Sequence, residues 1–345
     1  MTFKKNSILF VGNHLSQSAK NMGVGEELAN HLEQRGYHTI LVSRKMNKPA
    51  RLLDMLWTIL RKRRFYDLAE VDVFSGSAFL WAFLSAGLLK LLGKPLILTL
   101  HGGNLPNYAA NHPRWVKSLL TWANAVVAPS SYLKQKLGVC RADIRLIPNG
   151  LEINHYLFQL RENPQPKLVW LRAFHQIYNP SLAPKVIKIL EDQHIDTHLL
   201  MVGPDKGDGS LQEMLNTAQE LGIAHRVEVI RGVSKEQVPE ILTRGDIFLN
   251  TTNFDNTPVS LIEAMASGCC IVTTNVGGIP YLLEDGVDAL LVPPNDPLAM
   301  AAAVKRILTE PGLSEKLSTN ARKKAEQFDW SIILPKWEEL LKSLQ

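Results

Sequence analysis

Apolar and polar positions along the chain fall into two alternating series. In the first, short apolar runs sit at ILFVG (8–12), HTILVS (38–43), VDVFSG (71–76), PLILTL (95–100), AVVAPS (125–130) and IRLIP (144–148). Stretches of helical length, such as GEELANHLEQRG, separate them. A second series starts near residue 167, with KLVWL (167–171), HLLMVG (198–203), RVEVI (226–230), DIFLN (246–250), CIVTT (270–274) and ALLVPP (289–294). Strand and helix alternating in this way predict α/β units, each a parallel sheet covered by helices on both faces. Between the series lies PNGLEINHYLFQLRENPQP (148–166), rich in Pro, Asn and polar residues, which reads as a linker. The domains are therefore set at 1–160 and 161–327, with a last helix over 328–345. The two series differ in detail, so they are similar domains and not a short-period repeat.

Length and composition agree with two sizeable cores. The chain has 345 residues, 46% of them hydrophobic. No run of eighteen apolar residues predicts a membrane-spanning helix. The opening MTFKKNSILFVGNHL has too short an apolar run for a signal peptide and reads as a first buried strand. Three cysteines, Cys140, Cys269 and Cys270, offer no zinc spacing and predict a reduced, cytoplasmic setting. Charge changes the picture more. Residues 1–160 carry 20 Lys and Arg against 9 Asp and Glu, and the remainder 18 against 24. The basic half is expected to face something anionic.

In open parallel sheets, ligands bind beyond the carboxyl ends of the strands. His101 follows the apolar strand LILTL directly, ahead of Gly102 and Gly103; it is either a ligand-facing histidine or one tied into a turn. Arg172 follows LVWL at the same kind of position, suited to a phosphate or to an ion pair with a neighbouring helix. Beyond DIFLN runs the loop TTNFDN and then a segment with a single charge, Glu263, between Asn256 and Gly278. Thr257 is expected to cap a helix over 258–267, with Pro258 at its first position and Gly268 ending it. The free amides of Val259 and Ser260 would form an anion site. That helix is apolar on all sides and must be buried, so the Glu263 carboxylate needs donors, from protein or from ligand hydroxyls. A phosphate-bearing polyol such as a sugar nucleotide suits both features.

Asp255-x7-Glu263, running on as EAMASGCCIVTTNVGGIPYLLEDGVDALLVPPND, resembles the retaining glycosyltransferases of family 4. The likeness extends along nearly the whole chain: NMGVGEELANHLEQRGYHTILVS, LTLHGGN, IRLIPNGLEINHY, LLMVGPDKGDG and VEVIRGVSKEQVPEIL match its other segments. The resemblance implies the GT-B fold, two Rossmann-like domains with parallel sheets facing an interdomain cleft, and a C-terminal helix crossing back to the first domain. It implies a glycosyltransferase that moves a sugar from a nucleotide sugar, UDP or GDP, with retention and without a metal or cofactor. Glu263 would hold the donor ribose, Asp255 would lie by the transferred sugar, and Arg172 would neutralise the diphosphate. The amides of Val259 and Ser260, with Thr257, would help hold diphosphate or sugar. Gly232 and Val233 would lie against the base, and His101 would contact the sugar near the reacting carbon. Gly23 and Gly25 would belong to the acceptor-side loop. Retention would follow front-face attack, the leaving phosphate taking the acceptor's proton.

Three positions depart from the family pattern. Asp255 stands where Glu is usual, Pro258 where Gly is usual, and Tyr178 where a phosphate lysine usually follows the arginine; either Lys206 or a backbone group would substitute, or phosphate affinity would be lower. A sugar-nucleotide epimerase, or a homologue that binds the nucleotide sugar without catalysis, is the alternative. A nicotinamide oxidoreductase is excluded because Gly23 and Gly25 lie well past the first strand and Leu28 takes the third glycine's place. Residues 44–64 hold eight basic side chains against Asp54 alone, around LLDMLWTIL. That segment is either a basic amphipathic helix for an anionic membrane surface or a helix packed on the sheet with a solvated basic end. A glycan or lipid-linked acceptor of envelope polysaccharide synthesis fits the first reading. Nucleic acid does not fit, because the basic groups lack interleaved aromatics.

Overall fold

The computed structural model describes residues 7–14 and 23–344. The chain forms two compact units, Met1–Gly150 with Trp330–Gln345, and Leu151–Asp329. The division lies at the start of the linker rather than at 160. The cause is packing: Leu151, Ile153 and Tyr156 are buried in the core of the second unit, beside Phe248, Ile262 and Phe328.

Among the described residues each unit holds one six-stranded parallel sheet. In the first unit these are β1 (Ser7–Val11), β2 (His38–Val42), β3 (Leu68–Val73), β4 (Leu96–Leu100), β5 (Ala125–Ala128) and β6 (Arg145–Leu146), in the order β2-β1-β3-β4-β5-β6. Strand β3 starts three residues before the VDVFSG run, because Leu68 and Ala69 pair with Ile8 and Leu9 of β1. Strand β6 shrinks to two exposed residues at the sheet edge. Alternation along β1 feeds both faces: Leu9 and Val11 join Met55, Ile59 and Phe79, whereas Ile8 and Phe10 join Leu28 and the final helix. That helix, Trp330–Lys342, inserts Trp330, Ile333, Leu334, Trp337, Leu340 and Leu341 into the first unit's core.

The second unit holds β7 (Lys167–Leu171), β8 (His198–Val202), β9 (Val227–Ile230), β10 (Ile247–Asn250), β11 (Cys270–Thr274) and β12 (Leu290–Val292). Their order is β12-β11-β10-β7-β8-β9. Counted within the unit this is the third-second-first-fourth-fifth-sixth order of dinucleotide-binding folds, and it reverses between β7 and β10. In the first unit the order reverses between β1 and β3. Loops leaving these strand pairs diverge to opposite faces, which opens a crevice at the carboxyl edge of each sheet.

Ile333 is fully buried against the first sheet. Ile333→Ala is expected to cost ~2–5 kcal/mol, seen as a lower urea midpoint, while exposed Lys336→Ala leaves the midpoint in place.

Candidate active site

At the reversal point of the second sheet, β7 hands on to Arg172 and β10 to the loop 251–258. Neighbouring strands bring the two together, and Arg172 Nη2 donates to Asp255 Oδ2. The ion pair thus joins Arg172 to a loop carboxylate and not to a helix. The Tyr178 ring lies 4.1 Å from the guanidinium carbon, so the residue standing in the lysine position packs on the arginine. Burial pulls the arginine's pKa down, but a guanidinium keeps its proton. Its Nε has no partner among the described residues. The Lys206 amide donates to the Phe174 carbonyl, 3.1 Å, tying the loop after β8 to the loop that carries Arg172.

The loop is held from below by Gly277 and Gly278. A Cβ at Gly277 would lie 2.0 Å from the Asp255 carbonyl oxygen, and one at Gly278 would lie 2.1 Å from that of Asn256. The Gly278 amide donates to the Asp255 carbonyl, 3.0 Å. No side chain fits between these backbones, which accounts for the GG of NVGGIP.

The helix runs Val259–Ser267 and its cap is Pro258, with extended backbone and no side-chain capping bond. Thr257 is therefore not the cap: the chain turns into the helix one residue later, and its Oγ1 is buried without a partner among the described residues. Ser260 Oγ is in the same condition. The first intrahelical bond runs from the Leu261 amide to the Pro258 carbonyl, 3.1 Å, leaving the Val259 and Ser260 amides ahead of it. Gly268, at φ 79°, ends the helix as expected. Glu263 is only 6% exposed, and the Tyr156 hydroxyl donates to its Oε1 at 2.9 Å. The protein itself thus supplies a partner to this carboxylate. Gly232 and Val233 follow β9, where the Gly232 amide folds back on the Ile230 carbonyl, 2.9 Å. Cys269 and Cys270 are buried, and burial pushes both thiols up to about 12, which leaves them inert.

In the first unit, His101 follows β4 and is buried. Its Nε2 lies 2.7 Å from Asp72 Oδ1, and its ring stacks on Phe74 at 4.9 Å. Against a carboxylate that nitrogen carries the proton, leaving Nδ1 as the ring's acceptor. Asp72 sits at the carboxyl end of β3, at the reversal point, and Gly12 follows β1 beside it. A Cβ on Gly12 would lie 2.1 Å from Asp72 Oδ2. Gly25, in the first turn of the Val24–Gln34 helix, passes close over the same carboxylate: its Cβ would lie 3.7 Å from Asp72 Oδ2 and 3.5 Å from His14 Cε1. Gly25, His101, Asp72, Glu70 and Asn149 line one small pocket. Gly23 caps that helix, its amide bonded to Glu26 Oε2, 2.8 Å. Asn21 and Met22 of the glycine-containing loop lie outside the described residues. Behind Asp72, Glu70 is buried and its Oε2 lacks a partner among the described residues, as does His14 Nε2. Burial, and then the Asp72 charge, push the Glu70 carboxyl well above its usual range, while burial lowers His14. Among the described residues no group of three or more His, Cys, Asp and Glu is placed to hold a metal ion.

Tyr156, Asp72, Glu70 and His14 were not singled out by sequence. Two of them carried a signal: LAEVDV places two acids two residues apart in a buried strand, hence on one face. Tyr156, on a linker, carried none.

Comparison with known proteins now decides the family. The model described as Glycosyl transferases group 1 matches residues 155–324, and that described as Glycosyltransferase Family 4 matches residues 24–155. A D-inositol 3-phosphate glycosyltransferase of Actinosynnema mirum is 31% identical over 315 residues, 83% of this chain and 76% of that protein. The chain belongs to glycosyltransferase family 4. The D-inositol 3-phosphate glycosyltransferase of Corynebacterium diphtheriae is 27% identical over 157 residues, 45% of this chain and 37% of that protein. The chain thus matches well under two thirds of the length of that relative. Among solved structures, Anabaena Alr3699/HepE in complex with UDP-glucose superposes with a TM-score of 0.76 at 17% identity, covering 98% of this chain and 100% of that one. The fold of this family 4 member is GT-B, with two Rossmann-like domains.

Glu70 gives this family 4 protein a pH dependence. Its proton is held far more tightly folded than unfolded, so its contribution is full below the unfolded value of 4.5 and is lost as pH rises toward the folded value. Thermal melts from acid to alkaline pH are expected to fall less steeply for Glu70→Gln than for the native protein.

Proposed function

We propose that this family 4 member is a retaining glycosyltransferase that moves a sugar from a UDP- or GDP-linked donor to a glycan or lipid-linked acceptor, without a metal, in cytoplasmic steps of envelope or exopolysaccharide synthesis. One observation carries the reading. At the start of the Val259–Ser267 helix lie two buried hydroxyls without partners among the described residues and two amides ahead of the first helical bond, and Arg172, whose buried Nε lacks a partner too, is joined to Asp255 in the loop that leads into it. This set of donors, next to a fixed positive charge, suits an anionic group rich in acceptor oxygens. A nucleoside diphosphate is such a group, and the UDP-glucose held by the Anabaena structure of like fold supports the choice.

In this proposal the diphosphate lies on the helix start and draws Arg172 from Asp255, and Glu263 accepts from the ribose hydroxyls while keeping Tyr156. Gly232 and Val233 face the base, and His101 offers Nδ1 to a sugar hydroxyl. The bond between the anomeric carbon and the leaving phosphate oxygen breaks. The acceptor oxygen bonds to that carbon from the same face, and its proton passes to the departing phosphate. Arg172 and the helix amides stabilise the charge that develops there. The Arg172–Asp255 pair and Tyr178 in the lysine position favour a second reading, a binding homologue without turnover; donor binding with no transferred product would support it.

Glu263→Ala is expected to weaken donor binding by ~1–3 kcal/mol; unchanged calorimetric affinity for every nucleotide sugar that the native protein binds would remove this role. Arg172→Ala is expected to lower transfer and nucleoside diphosphate inhibition together. Inhibition left intact would make Arg172 a structural ion-pair residue.

A further inference from the structure

The Lys48–Arg61 helix packs on the sheet through Met55 and Ile59, and Arg51 turns inward to the Asn13 side chain and the Lys45 carbonyl. Its other face is exposed among the described residues. Leu53, Trp57 and Leu60 recur four and three residues apart and are exposed by 68%, 62% and 37%. The neighbouring Ser77–Leu91 helix packs against it and exposes Leu80 and Leu84, again one turn apart. That helix is apolar nearly all round, with Lys90 its lone charge; at fifteen residues it is too short to cross a bilayer. Beyond it, Trp115 is exposed on the Pro113–Trp122 helix and contacts Phe83, with ring centroids 5.3 Å apart. An apolar face spread over three adjacent helices is unusual for a surface that meets only water.

Most charges flanking this face are positive, with Asp67 the exposed acid beyond Arg64. Arg61, Lys62, Arg63 and Arg64, at and beyond the end of the Lys48–Arg61 helix, are exposed, as are Arg44, Lys45 and Lys48 at and before its start. Asp54 is turned to the Ser43 hydroxyl. From Val73 to Ala142 the chain holds seven Lys and Arg and no acid. We propose that this face docks the first unit on an anionic lipid bilayer, with Leu53, Trp57, Leu60, Leu80 and Leu84 entering the interface and the flanking cations meeting headgroups. Apolar side chains ringed by cations match a surface that is hydrocarbon within and anionic at its rim. Among the described residues no helix is long and apolar enough to cross a membrane, so the contact is peripheral. The inference does not rest on the transferase reading, and its test uses no donor.

The experiment is sedimentation of the full chain with vesicles of phosphatidylcholine alone or mixed with phosphatidylglycerol. Expected is binding to the anionic vesicles that weakens with salt and falls at least about tenfold in Lys62→Glu/Arg63→Glu/Arg64→Glu and in Leu53→Ser/Trp57→Ser/Leu60→Ser. The changed side chains are exposed, so unchanged thermal melts establish that both variants fold. In Trp57→Phe, which keeps binding, quenching of tryptophan by brominated lipid is expected to drop. Equal binding to neutral vesicles, no binding at all, or serine variants that bind like the native chain would overturn the proposal. A concentration-dependent dimer that the serine variant abolishes, without vesicle binding, would assign the face to a second copy and overturn it too.

Discussion

Arg172 carries a charge that it cannot lose, placed where the second sheet reverses direction and largely closed off from water. Such a charge needs a counterpart. Asp255 supplies it, and in doing so fixes the loop between β10 and the helix that follows. The loop in turn settles on two glycines that leave no room for a side chain, and it ends on Pro258, whose extended backbone aims the helix start. The Gly278 amide on the Asp255 carbonyl and the Asn253 amide on the Ile177 carbonyl add backbone anchors to the same loop. Under the proposed function, the Arg172–Asp255 pairing occupies the cation that a diphosphate would seek, so the donor would compete with Asp255 for one guanidinium. The Tyr178 ring packs on the same guanidinium.

The first sheet solves a similar problem with opposite sign. Glu70 and Asp72 lie on one face of a buried strand, close enough that both cannot ionise cheaply. His101 hydrogen-bonds to Asp72, and burial together with the Asp72 charge raises the pKa of Glu70. Gly12 and Gly25 bring backbone close to Asp72, so the carboxylate is walled in and the histidine ring is held by it and by Phe74. Each unit thus places charged side chains at the reversal point of its sheet.

The strands were legible because parallel strands buried on both faces read as continuous apolar runs, and all twelve runs became strands. Ends were less so: β6 shortened to two exposed residues at the sheet edge, and β3 lengthened because Leu68 and Ala69 found partners on β1. The burial of Glu263 followed from the apolar residues around it. Its partner did not, since Tyr156 comes from more than a hundred residues away and pairing across such distances leaves no local trace. Arg172 was visible as a charge at a strand end, while its choice of Asp255 depended on strand order, which spacing does not encode. Thr257 failed as a cap because a proline at the next position took the cap's extended backbone. The basic stretch at 44–64 left two readings open, and only exposure of Leu53 and Trp57 separated the face that packs from the face that does not.

The closing helix has a further meaning for how the chain is made. Its six buried residues finish a core begun by Ile8 and Phe10, more than three hundred positions earlier, whereas residues 151–329 form their own unit without interruption. During synthesis the later unit has all its parts first. The earlier one waits for residues 330–341 to complete one flank of its sheet, and through that interval its unfinished core is open to association.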